Sequence, residues 1–117
     1  MRNTIEYWNQ YIKPTKEVDV EAVPGDLVVE IGGILYLIQR TNDTNNIVCF
    51  RTKKTGVTVE ASFRMLRQYL LAKGIVYIRV EGNTRRYGWL AKVDVCDGYN
   101  VLKEDRTDRN VFYIKLI

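Results

Sequence analysis

The chain has 117 residues, 46% hydrophobic and 27% charged, with a net charge of +4 and no histidine. That balance allows one buried core in a single domain, 1–117, and argues against intrinsic disorder. The missing histidine removes the commonest general base and zinc ligand, and no apolar run approaches the roughly 18–20 residues that a membrane span needs. A soluble, cytoplasmic, non-membrane protein is expected; "MRNTIEYWNQ" has no apolar stretch of the kind that opens a secretory leader. Cys49 and Cys96 form no Cys-x-x-Cys pair, so neither a disulfide framework nor a redox motif is indicated.

In chain order, Asn3 and Glu6 have the spacing of a capping pair, and Ile5, Trp8 and Ile12 recur at near-helical intervals before Pro14. A short N-terminal helix follows, with Trp8 as its anchor on the core, or alternatively as a docking surface for another protein. With its acidic connector "EVDVEA" it makes up residues 1–22. Pro24-Gly25 makes a turn into the strand "LVVEI", and Gly32-Gly33 supplies the positive φ angles of a two-residue hairpin turn into "ILYLIQR". After the polar loop "TNDTNN", "IVCFRT" is a third strand with Val48 and Phe50 on one face, and "VTVE" alternates as a fourth, closing a first strand group over 23–61.

In "ASFRMLRQYLLAKG" the period changes. Ser62 reads as a cap, Phe63, Leu66 and Leu70 recur at helical spacing, and Gly74 stands where a helix stops, which gives a helix over 62–73. Its apolar residues cover more than one narrow stripe, so Met65 and Leu71 either enter the core or face a partner. A second strand group over 75–117 follows: "IVYIRVEG", "YGWLAKVDV", "YNVLKED" and "VFYIKLI", with turns at "GNTRR", "CDG" and "DRTDRN". In it Gly82-Asn83 turns the chain and Trp89 points inward. As an edge strand, "VFYIKLI" would permit pairing between subunits, so the chain is a monomer or a dimer.

The stretch 23–67 resembles the opening of SH3-like small barrels, including KOW-type domains, through Pro24, Gly25 and Asp26 at the start, Gly56 before "VTVE", and Leu66 with Arg67 at the end. It covers fewer than half the residues. The chain departs from that pattern in its longer helix and in the four strand-like runs after it, where one would complete a barrel. The expected fold is therefore mainly β with a central helix (α+β): an antiparallel SH3-like small barrel, or two packed antiparallel meanders, with one larger sheet around the helix left open. What the resemblance implies about function is binding of nucleic acid or protein in preference to catalysis.

Charge is distributed unevenly. From Arg51 to Lys92 ten basic residues face two acids, Glu60 and Glu81, a local charge of +8, whereas the flanks carry −4. Such asymmetry points to an anionic partner. Nucleic-acid binding calls for Lys and Arg against phosphate and for aromatic or guanidinium planes against bases. The candidates are Arg51, Lys53 and Lys54 at one turn, Arg85, Arg86 and Tyr87 at another, Arg64 and Arg67 with Lys73 on the helix, and Arg79 on a strand. Solvated turns and helix faces are the plainer reading of any one cluster. Tyr77 and Arg79 share a strand face, which would place a ring beside a charge, although a tyrosine at such a position more often packs at an edge.

Asp94, Asp97, Glu104, Asp105 and Asp108 would suffice for magnesium chemistry, but Asp97-Gly98 and "DRTD" are ordinary turn compositions. No phosphate loop, dinucleotide fingerprint or nucleophile elbow occurs. The expectation is a protein that is not an enzyme and takes no cofactor or metal. It binds DNA, another nucleic acid or a nucleoprotein through its basic middle. The alternative is a protein-interaction module or phage-like inhibitor of a host protein complex.

Overall fold

A computed structural model describes residues 4–14, 20–40, 45–51, 55–83, 100–105 and 109–116. Thr4 caps the first turn, its Oγ1 accepting a bond from the Tyr7 amide at 3.0 Å. Asn3, expected as the cap, lies outside the described residues. Helix α1 (Ile5–Tyr7) widens into a π-helical turn over Trp8–Ile12, in which the Lys13 amide donates back five residues to the Trp8 carbonyl. This wider turn still places Trp8 and Ile12 on one side, and both are buried.

Strands β1 (Leu27–Ile31) and β2 (Ile34–Arg40) form the expected antiparallel hairpin. Gly32 and Gly33 both have positive φ, 61° and 82°, the signature of a type I′ turn whose twist matches that of the strands. Asp26 closes the other end. Its buried carboxylate accepts from the Val23 amide at 3.0 Å and from the Arg40 amide at 3.2 Å, joining the Pro24-Gly25 turn to the end of β2. Strand β3 (Asn45–Arg51) pairs antiparallel with β2.

The segment "VTVE" is not a strand. Thr58 is extended and its Oγ1 accepts from the Ala61 amide at 3.1 Å, so it caps helix α2 (Val59–Ala72), which begins three residues before the expected start. Four residues of alternation are too few to separate a strand from a helix entry. Ser62, expected as the cap, is instead buried inside the helix: its hydroxyl donates to the Ile31 carbonyl and lies 2.8 Å from the Tyr36 hydroxyl. A serine has one proton to give, so Tyr36 must be the donor in that pair. Ser62→Ala removes the bonds to Ile31 and Tyr36 and is expected to cost about 1–2 kcal/mol, against about 0.5–1.5 for Tyr36→Phe, which removes the bond to Ser62. Urea unfolding of the two variants and their double mutant measures this. Helix α2 ends as expected at Gly74, φ +76°, with the Gly74 amide on Leu71 and the Ile75 amide on Leu70, and with Ile75 and Leu70 buried in one cluster.

Strands β4 (Tyr77–Asn83), β5 (Asn100–Asp105) and β6 (Arg109–Lys115) join them, among the described residues, in one six-stranded sheet in the order β1-β2-β3-β4-β6-β5. Among the described residues it is a mixed, open sheet of an α+β protein, neither closed into a barrel nor split into two packed meanders. The two strand groups meet in a single parallel seam, β3 against β4, with only Asn45↔Ile78, Asn46↔Arg79 and Ile47↔Val80 in register. The reason lies in the connection: α2 joins β3 to β4 as a crossover, and a helix between two strands of one sheet returns the chain in the same direction. Two further expectations change. Gly82 and Asn83 do not turn the chain but continue β4 opposite Asn110 and Arg109. The C-terminal strand lies inside the sheet, and among the described residues β1 and β5 form its ends.

The core has two layers. Helix α2 covers one face, where Phe63, Leu66 and Leu70 pack on Ile34, Tyr36, Ile38, Ile47, Ile78, Val80 and Ile114. On the other face Trp8, Ile12 and Ala22 pack on Val28, Leu35 and Leu37, with Val48 and Phe50 together as the alternation predicted. The N-terminal segment is fixed there by polar bonds: the Trp8 indole donates to the Val20 carbonyl at 2.8 Å, and the Asn9 amide group bonds both the carbonyl and the amide of Ala22. Trp8 is thus a core anchor and presents no docking surface.

Candidate functional site

Alternation along β4 sends Ile78 and Val80 into the α2 layer and Tyr77 and Arg79 to the opposite face. The antiparallel register of β6 places Lys115 opposite Tyr77, Ile114 opposite Ile78 and Tyr113 opposite Arg79. With Ile114 buried under α2, Tyr113 and Lys115 share the face of Tyr77 and Arg79. Four residues on two neighbouring strands therefore form a chequered patch, ring beside cation in each cross-strand pair and ring diagonal to ring.

Tyr77 is 53% exposed, and the Lys115 Nζ lies 5.9 Å from the centre of its ring, within reach of a cation–π contact. Arg79 is held at the seam by a bond from its Nη1 to Asn46 Oδ1 at 3.2 Å, and Asn45 Nδ2 donates to the Tyr77 carbonyl at 3.2 Å. Asn46, Val48 and Phe50 alternate on one face of β3, so this patch lies on the same side of the sheet as the Trp8 layer, immediately beside it. Strand β4 is internal, so Tyr77 stands on the middle of the sheet and is not an edge residue.

The other candidates are distributed differently. Arg64 is exposed on α2, and Arg67 is half-buried with its Nε donating to the Leu116 carbonyl at 3.1 Å, a bond that ties α2 to the end of β6. Lys73, at the end of α2, has its Nζ 5.7 Å from the Tyr69 ring. These helix cations belong to the layer on the far side of the sheet from Arg79, so the structure does not gather Arg64, Arg67 and Arg79 on one surface. Arg51 ends β3 opposite Ile34, and only its backbone is described. Lys53, Lys54, Arg85, Arg86 and Tyr87 lie outside the described residues, as do Trp89, Asp94, Asp97 and Asp108.

Met65 is 51% exposed on α2, whereas Leu71 packs against the core. No group of three potential metal-ligating side chains occurs among the described residues, and none of their helices is long and apolar enough to cross a membrane. The Tyr113–Lys115 half of the patch was not found from sequence, because strand register is a tertiary property. The visible signal was a cation two residues from a tyrosine in "VFYIKLI", the mirror of Tyr77 and Arg79. No family model, no curated protein and no solved structure matches the chain.

Proposed function

We propose that the protein is a non-enzymatic binder of nucleic acid or nucleoprotein, with phosphates met by the basic middle of the chain through Arg51, Lys53, Lys54, Arg85 and Arg86. The observation that carries this reading is the patch of Tyr77, Arg79, Tyr113 and Lys115: an exposed ring between cations, on a sheet face, inside or beside a segment of charge +8. Cations next to a ring supply both of the interactions a nucleic acid offers, phosphate charge and base planes.

The test is a titration of mixed duplex and single-stranded oligonucleotides at several salt concentrations. Five phosphate contacts predict that log K falls with log salt at a slope of roughly −3 to −5. Changing Arg85 and Arg86 together to Ala is expected to lower that slope by about 1–2. Absence of binding at low salt removes the reading. A second reading, a protein-interaction module or inhibitor of a larger complex, is favoured by one observation, the exposure of Met65 on α2. It predicts one stoichiometric protein partner recovered after nuclease treatment.

A further inference from the structure

We infer that the Tyr77–Arg79–Tyr113–Lys115 face takes single-stranded nucleic acid, with Tyr77 stacking on a base and Arg79 and Lys115 meeting the adjacent phosphates. The inference rests on the nucleic-acid reading above and narrows it to one class of ligand and one site. Two features of the face favour a single strand.

The first is the ring. In a duplex the base planes are already stacked on one another and only edges and phosphates are offered, so an aromatic ring on a flat sheet has nothing to stack on. A single strand exposes those planes, and stacking on a side chain tolerates any base. Tyr77 is more than half exposed on an internal strand, where most large side chains find cover.

The second is spacing. Tyr77 and Tyr113 are diagonal neighbours on adjacent antiparallel strands, a relation that separates side chains by about 7–8 Å. That distance keeps the second ring clear of a base stacked on Tyr77. A cation stands directly across from each tyrosine, Lys115 from Tyr77 and Arg79 from Tyr113, so a base on Tyr77 would have positive charge on the neighbouring strand and two residues along its own.

The experiment is fluorescence anisotropy of the full chain with a labelled single strand of roughly 12 nucleotides and with the duplex of the same sequence, at low and moderate salt. Tyr77→Ala is expected to weaken single-strand binding about tenfold or more without changing the salt slope, and Tyr77→Phe to keep it within about twofold. The duplex is expected to bind more weakly and to be unaffected by Tyr77→Ala. Since the ring is largely exposed, both variants should unfold at the wild-type urea midpoint, which is measured alongside. If the single strand still binds within about twofold when Tyr77 is Ala, or if the duplex binds as well as the single strand, this site is overturned while the broader reading stands. If neither oligonucleotide binds at low salt, both fall together.

Discussion

Trp8→Ala is expected to destabilise the protein by about 3–5 kcal/mol, the range for removing a large aromatic side chain from a core. Trp8 is fully buried, and its ring fills the space between Ile12 and Ala22 on one side and Val28, Leu35 and Leu37 on the other. The neighbours are held by backbone pairing on the sheet side and by the Asn9–Ala22 bonds on the other, so they cannot collapse freely into the vacated volume. The indole N–H also satisfies the Val20 carbonyl, which would lose that bond. A domain of this size holds about 5–15 kcal/mol in total, so the variant would lose a large fraction of its stability. Trp8→Phe keeps most of the apolar volume but not the hydrogen bond and should fall between. The measurement is the urea midpoint at constant slope. A loss below about 1 kcal/mol for Trp8→Ala would show that the N-terminal layer is not part of the cooperative unit.

Gly32→Val is expected to cost roughly 2–4 kcal/mol, from two independent sources. Gly32 has φ +61°, a region that a β-branched residue rarely enters and that costs about 1–3 kcal/mol to impose. A Cβ there would also lie 2.7 Å from Val57 Cγ1 and 2.9 Å from Val57 Cβ, inside contact distance. Val57 has little freedom to retreat. It is the residue before the Thr58 cap, and Thr55, whose Oγ1 donates to the Gly32 carbonyl at 2.7 Å, accepts the Val57 amide at 3.2 Å. Gly25, with φ +98° and nothing near its Cβ position, provides the control: Gly25→Ala meets strain without overlap and should cost less. Equal losses at the two positions would refute the role given to Val57.

How much of this was legible in the sequence depended on how local the cause was. The β1–β2 hairpin was read residue for residue, because Gly32-Gly33 encodes its own turn. The end of α2 was read for the same reason, Gly74 being its left-handed terminator. The start of α2 was misplaced because Ser62 has the chemistry of a cap but is used by partners 26 and 31 residues away, which no local pattern reveals. Gly82-Asn83 is a common turn pair, yet seven consecutive register pairs with β6 carry it as strand. At the candidate site, alternation alone joined Tyr77 to Arg79. Their counterparts Tyr113 and Lys115 required the pairing of residues 34 and 38 positions apart in the chain.

Strand β2 shows what a core on both faces of a sheet implies for the chain that must find it. Ile34, Tyr36 and Ile38 are buried under α2, while Leu35 and Leu37 are buried under the N-terminal layer. A strand that is apolar on both sides carries almost no information about its own offset, since a slip of one residue would exchange one set of aliphatic side chains for another at small hydrophobic penalty. The information must come from elsewhere, and a glycine turn and two polar contacts supply it. The type I′ turn fixes one end, the Asp26 carboxylate grips the Arg40 amide at the other, and the Tyr36 hydroxyl finds its serine only on the α2 side. In this protein hydrophobicity makes β2 a core strand, and one turn with two polar contacts decides which way up it lies.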